Sequence, residues 1–352
     1  MPKKRLKINL ALQGGGAHGA FTWGVLDRLL AEPDIDFDWI SGTSAGAVNA
    51  VALASGLAAN SRAAAREKLK DVWEAVQAAG VSDLVRLNPL LAGLARAATM
   101  PNMAGVLSPY DFNPLGIDPL RKLIETHIPF ADIRNGFKGE LLIAATDVAT
   151  GRARLFRKAE MTADVVLASA CLPTLHHAVT IEGRAYWDGG FSANPDLVTL
   201  ATESPVGDTL LVQLNPSFDM PIPRSASEIA NRVNTITFNQ PLLRDVAEIV
   251  AARASEMGML APKNGRIARL RAHRFHLIDA GRHISGLGVD SKAKPEKSMI
   301  AYLFKCGEGE AARWLGKSRS QVGKVSSVDL EKHFLRPLPV EDAAETAPKR
   351  SA

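Results

Sequence analysis

The sequence predicts an α/β fold built on a parallel sheet. Two stretches carry that expectation, each running apolar strand, glycine turn, helix-forming segment. The first is Ile8–Gln13, the glycines Gly14, Gly15 and Gly16, then His18–Leu30; the second is Phe37–Ile40, Gly42–Gly46, then Ala45–Leu57. The composition agrees: 352 residues, 46% hydrophobic and 22% charged, can bury a large core.

Further along, Ser61–Ala79 places Leu69, Val72, Trp73 and Val76 at helical spacing. Residues 81–115 are apolar but broken by Gly and Pro; they read as helices packed on the sheet, with a lid or acyl-chain channel as the alternative. Strands are expected at Glu140–Asp147 and Arg152–Phe156 around the turn Thr150-Gly151, and at Ala178–Ile181 and Arg184–Asp188 around Glu182-Gly183. Thr162–Ala170 reads as a helix and Thr209–Leu214 as a core strand. Ser225–Met257 reads as one or two helices, with Ser225 and Glu228 as a capping box. A late strand is expected at Arg271–Ile278, then short helices at Glu308–Leu315 and Ser327–Phe334. The tail from Pro337 has little apolar content and is expected to be disordered. The expected organisation is a core over 8–204, its α/β continuation with a helical C-terminal region over 205–336, and the tail 337–352.

Composition also excludes classes. Two cysteines, Cys171 and Cys306, make no disulfide framework and no metal-ligand cluster, which points to a reducing, cytoplasmic compartment. Lys3-Lys4-Arg5 precedes an apolar segment, but Ile8–Leu12 is shorter than the ~7–15 residues of a secretory core. No run of about 18 apolar residues suggests a membrane span. The net charge of +5 is uneven: from Arg253 onward 19 Lys/Arg face 11 Asp/Glu, or +8, leaving −3 elsewhere. That basic third reads as a solvated surface; peripheral contact with an anionic membrane is the alternative. Nucleic acid is not expected as a partner.

The chemistry concentrates at Gly42-Thr43-Ser44-Ala45-Gly46, a G-x-S-x-G sequence between strand and helix. A serine on such a turn has its hydroxyl pushed out where a carbonyl can reach it. Acyl transfer also needs donors aimed at the developing oxyanion, and the main-chain N–H groups of Gly14, Gly15, Gly16 and Ala45 are the candidates. The cluster Gly14–Gly19 also satisfies the dinucleotide fingerprint, with Asp36 and Asp38 about 20 residues on, but the serine elbow is foreign to that design. A serine needs a base. Asp188, in Asp188-Gly189-Gly190, can serve directly, or a Ser–His–Asp triad can recruit His273, His276 or His283. Spacing alone leaves both open.

Three motifs in order now make the chain resemble the patatin-like phospholipases: Gly14-Gly15-Gly16-Ala17-His18-Gly19, Gly42-Thr43-Ser44-Ala45-Gly46 and Asp188-Gly189-Gly190. Ala145-Thr146-Asp147 with Thr150-Gly151, and Ala168–Pro173, support them, and the likeness spans about 8–200. The resemblance implies a three-layer α/β/α fold, Ser44 as nucleophile, Asp188 as general base, and Gly14–Gly16 as oxyanion loop, with Gly19, Gly42, Gly46, Gly189 and Gly190 completing the motifs. It implies lipase or phospholipase A-type hydrolysis of lipid acyl esters through an acyl-enzyme, with no metal and no cofactor. A Ser–His–Asp carboxylesterase and a non-catalytic lipid-binding homologue are the alternatives. His18 stands where many members carry Arg or Lys and reads as structural or surface. His176-His177 read as loop residues, Cys171 as packed, Trp187 as core or as a shield for Asp188, and Asp147 as a turn residue.

Overall fold

The computed structural model describes residues 5–78, 108–217, 222–254 and 264–336, apart from 286, 288, 293 and 294. Residues 81–107 of the 81–115 stretch, expected to form packed helices or a lid, and the tail from 337, expected to be disordered, lie outside the described residues.

Eight strands form one sheet: β1 (Leu6–Leu12), β2 (Ile35–Gly42), β3 (Glu140–Asp147), β4 (Ala153–Arg157), β5 (Val179–Ile181), β6 (Arg184–Asp188), β7 (Asp208–Gln213) and β8 (Arg274–Asp279). Five are parallel, in spatial order β3-β2-β1-β7-β8. β4 and β6 pair antiparallel with β3, and β5 pairs with β6. The order reverses at β1, and in such sheets the crevice beyond the carboxyl ends at the reversal is where ligands bind.

Side chains alternate across the strands, so both faces must be covered. Leu10, Leu12, Leu141, Ile143, Leu210 and Val212 share one apolar cluster with the helices α1 (Gly19–Leu30), α2 (Ala45–Ala58) and α3 (Arg62–Ala78). Their neighbours Ala11, Leu142 and Leu211 join a second cluster on the opposite face. This is the three-layer α/β/α arrangement that the sequence led us to expect. Among the described residues, four short helices follow before β5: α4 (Pro109–Phe112), α5 (Pro119–His127), α6 (Phe130–Gly136) and α7 (Ala163–Ser169). The second face carries α8 (Val198–Glu203), α9 (Ala226–Ala254) and α10 (Arg266–Ala272).

The structure corrects the C-terminal reading. Arg271 and Ala272 end a helix rather than start a strand, so β8 begins at Arg274. The segment expected to hold short helices contains, after α11 (Gly281–Ile284), one helix α12 of 21 residues, Lys297–Lys317. Residues 331–335 form a π-helical turn. Within the region expected to hold one or two helices, Ala226–Ala254 is a single helix that continues through Pro241.

α12 closes the first layer by crossing α1 at backbone distance. A Cβ on Gly307 would lie 2.0 Å from the Phe21 carbonyl, and one on Gly24 2.0 Å from the Phe304 carbonyl. Gly316, on the same helix, has open space. Gly307→Ala is therefore expected to lower stability by about 2 kcal/mol, the usual cost of overpacking. Gly316→Ala is expected to be neutral or to stabilise by roughly 0.5–1 kcal/mol. Parallel urea melts distinguish the two; equal effects would contradict the helix crossing.

Candidate active site

β2 ends at Gly42 and α2 begins at Ala45, leaving two residues to turn the chain. Ser44 makes the turn with φ 55° and ψ −121°, a conformation that costs a non-glycine residue on the order of 1–3 kcal/mol. The surroundings enforce it. Thr43 Oγ1 donates to the Ala193 carbonyl at 2.7 Å, the Gly46 N–H donates to the Thr43 carbonyl at 2.8 Å, and the Ser44 N–H donates to Ser169 Oγ at 2.9 Å. Gly46 is needed for approach: a Cβ there would lie 2.0 Å from the Leu12 carbonyl of β1.

Asp188 ends β6 opposite Ala145 of β3. It is fully buried. Its N–H donates to the Cys171 carbonyl at 2.8 Å, and its carbonyl accepts from Thr146 Oγ1 at 2.7 Å. Oδ1 accepts from the Gly190 N–H at 2.7 Å, while Oδ2 has no hydrogen-bond partner among the described residues. Burial pushes the carboxyl up to about 7, and the Gly190 amide and the Ser44 hydroxyl pull against that rise. The Ser44 hydroxyl is thus a neighbour of the carboxyl, with no hydrogen bond to Oδ2. Such contacts in ligand-free enzymes commonly tighten when substrate binds. Phe238 of α9 covers the turn: a Cβ on Gly190 would lie 2.2 Å from its ring.

The glycine loop lies beside the elbow, since a Cβ on Gly14 would lie 2.9 Å from Ser44 Cβ. Its amides are not equivalent. The Gly14 N–H already donates to Asn194 Oδ1 at 2.8 Å, so Gly14 is withdrawn from the expected set of oxyanion donors. Its role is positional. The N–H groups of Gly15, Gly16 and Ala45 are engaged by no described residue, and each opens a helical turn, where main-chain donors are unpaired by construction. Gly19 begins α1, Gly42 ends β2 and Gly189 follows Asp188, so all the motif glycines flank this crevice.

The histidines of the triad alternative sit elsewhere. His273 Nε2 is 2.7 Å from Thr209 Oγ1, and His276 lies between Ser327 Oγ at 2.9 Å and Asp208 Oδ1 at 3.2 Å. His283 Nε2 is 2.7 Å from Glu310 Oε1. Among the described residues no histidine interacts with Ser44 or Asp188. Asp36 and Asp38, candidates for a ribose contact, lie away from the carboxyl ends of the strands. Asp36 pairs with Arg5 and Arg62, and Asp38 with Lys7.

His18 is buried rather than at the surface. Its Nε2 is 2.7 Å from Ser291 Oγ, and burial followed by the Lys292 charge pushes its pKa down to about 3. The Cys171 thiol is pushed up to about 12, chiefly by burial, and donates to the His177 carbonyl, so it stays unionised. His177 stacks on Tyr110. Trp187 and Asp188 are successive strand residues that point to opposite faces, which leaves Trp187 unable to shield the carboxyl. Asp147 binds Thr150 and Arg184 at the strand end, as a turn residue does. No group of three or more His, Cys, Asp or Glu among the described residues could hold a metal ion.

Several supporting residues escaped sequence reasoning. Gln13 Oε1 accepts from the N–H groups of Leu214 and Asn215, both at 2.8 Å, tying the ends of β1 and β7 together across the reversal. Asn215 Nδ2 donates to the Gly14 carbonyl at 3.1 Å, and Lys292 Nζ donates to Asn215 Oδ1 at 2.6 Å. Asn194 Nδ2 donates to the Phe238 carbonyl at 2.9 Å. A polar residue closing an apolar strand, as Gln13 does, was a readable sign; nothing local marks residues 291–292.

The sequence model of the patatin-like phospholipase family matches residues 10–201, more than half of the chain. The chain belongs to the patatin-like phospholipase family. A curated relative, a cGAMP-activated phospholipase of Escherichia coli (strain TW11681), is 28% identical over 218 residues. That match covers 54% of each protein, so the chain spans about half the length of this relative. Among solved structures, VipD from Legionella pneumophila is similar with TM-score 0.44 and 14% identity over 97% of this chain and 74% of that one. The ExoU–SpcU complex of Pseudomonas aeruginosa gives TM-score 0.26 and 16% identity over 91% of this chain and 62% of the other. Likenesses this remote decide nothing about the site.

Burial of Asp188 has a stability consequence of fixed sign. Its folded pKa, about 7, lies above the value of 3.8 for a free side chain, so the folded state binds more protons between those values. Wild-type stability should therefore decline from about pH 4 to pH 7 through this group. Asp245, pushed up to about 7 by burial and by Asp196, contributes in the same direction. The difference between Asp188→Asn and wild type isolates one of the two. It is expected to grow in favour of the variant over that range, by up to about 4 kcal/mol, in urea melts at pH 4 and pH 8. A pH-independent difference would contradict the burial account.

Proposed function

We propose that the protein is a serine acyl hydrolase that cleaves fatty-acyl esters of lipids, with Ser44 as nucleophile and Asp188 as general base. The observation that carries this reading is the Ser44 hydroxyl, on a positive-φ elbow, beside a buried carboxyl whose pKa lies near 7. A carboxylate at its ordinary pKa is a weak acceptor for a serine proton; one near neutrality is matched to the task.

In the proposed cycle Oγ of Ser44 attacks the ester carbonyl while Asp188 Oδ2 takes its proton. The oxyanion forms against the N–H groups of Gly15, Gly16 and Ala45, aided by the positive end of α2. Asp188 returns the proton to the departing alcohol or lysolipid. A water then gives its proton to Asp188 and attacks the acyl-enzyme; as the C–Oγ bond breaks, Asp188 passes that proton to Ser44 Oγ, which releases the fatty acid and restores both groups. Family membership supports the lipid ester as substrate. The separate partners of His273, His276 and His283 weigh against a histidine base.

Ser44→Ala is expected to abolish labelling by a fluorophosphonate and turnover of phospholipid and short-chain esters alike. Asp188→Asn should lower kcat by about 10³-fold, and His283→Gln should stay within about twofold of wild type. In wild type, kcat/KM should rise with pH and level off above about 7. A histidine variant that loses orders of magnitude, or a protein that neither labels nor turns over, would overturn the reading.

The relative's description as cGAMP-activated motivates a second, separable proposal, that a cyclic dinucleotide raises turnover here. Assays with and without cGAMP test it, and identical rates would end it.

A further inference from the structure

α9 joins the site to a surface that the proposed chemistry leaves unused. The helix has 29 residues and packs on the sheet through Leu242, Val246 and Ile249. Asn239 Nδ2 donates to the Pro216 carbonyl just beyond β7, and Arg253 donates to the His273 carbonyl just before β8. Its middle is therefore pinned at the carboxyl edge, where Phe238 lies on Gly190 and beside Phe191, 4.8 Å between ring centres. The preceding stretch 226–237, about 18 Å at ~1.5 Å per residue, overhangs the edge where the crevice opens.

This overhang is apolar on its outward face. Ile229, Val233 and Ile236 fall at i, i+4 and i+7 and are 47%, 57% and 43% exposed, and Ile222 just before the helix is 77% exposed. The stripe turns away from the Phe238 side, so it does not serve the core. Farther along the same face come Gln240 and Arg244, both exposed, so the apolar character stops where the helix leaves the site. The charges also have a sign. Residues 222–237 hold Arg224 and Arg232 against Glu228, which makes +1, and Glu228 is engaged by the Arg224 and Ser225 amides. An apolar stripe flanked by arginines is the pattern of a helix that lies in a lipid interface: side chains enter the acyl boundary while cations meet anionic headgroups.

We propose that the outward face of residues 222–237 docks the protein on an anionic lipid bilayer and so brings the crevice to its substrate. The assignment rests on the lipid-ester reading above. It places the membrane contact on α9 rather than across the basic C-terminal third.

The test uses the full chain and vesicles of phosphatidylcholine with and without phosphatidylglycerol, read by flotation. Wild type and Ser44→Ala should both float with the mixed vesicles, and more weakly with phosphatidylcholine alone. The double variant Ile229→Asp/Val233→Asp should lose at least tenfold in partitioning. Its turnover of a water-soluble short-chain ester should stay within about twofold, which shows that it is folded. The milder Val233→Ser/Ile236→Ser should fall between. Wild type that does not float, or a double variant that floats like wild type, would overturn the proposal. So would a double variant that only converts a dimer to a monomer, since the stripe would then be a self-interface. Wild type that floats but hydrolyses no ester would overturn the catalytic reading and leave the docking surface standing.

Discussion

The removal of Asp188 from water is the constraint on which the rest of the site depends. An exposed carboxylate is ionised well below neutral pH and has little tendency to take a proton from an alcohol. Here the end of β6 pairs with β3 and Phe238 lies over the following glycines, which keeps the carboxyl buried. One carboxylate oxygen receives the Gly190 amide, and the other is left unpaired. Fixing one oxygen orients the group, and leaving the other bare keeps it basic. An unpaired buried oxygen is destabilising, so this arrangement is held in place by a core large enough to offset it.

The strained elbow is the second half of the same design. Ser44 holds a positive-φ conformation because hydrogen bonds from Thr43, Gly46 and Ser44 itself leave the turn little alternative. Support for the glycine loop crosses the whole chain. Asn194 holds the Gly14 amide, Gln13 ties β1 to β7, and Ser291 and Lys292 reach the loop from the C-terminal third. The chain beyond residue 205 thus supports the surroundings of the site: β7 and β8 complete the sheet, and α9 covers Gly190.

Much of this was legible in the residues, for identifiable reasons. Strand–glycine–helix runs are local signals, so β1, β2 and α2 fall close to where they are expected, and Glu140–Asp147 and Arg184–Asp188 match to the residue. The site's two proposed chemical groups lie in short motifs for the same reason. What the sequence concealed depends on partners distant along the chain. The engagement of Gly14 by Asn194 spans 180 residues, and that of His18 by Ser291 spans 273. Neither leaves a local pattern. α12 was read as short pieces because Gly307, Gly309 and Gly316 look like breaks. In the fold, Gly307 lets the helix touch α1, and packing outweighs the weak local preference.

The central claim concerns the protonation of one buried carboxyl, and it can be observed directly. Infrared difference spectra of wild type against Asp188→Asn, collected across pH 3 to 9, isolate the carboxyl band of Asp188. A midpoint near 7 is the result this account predicts. A carboxyl already ionised by pH 5 would show that burial does not make Asp188 a base matched to Ser44, and would contradict it.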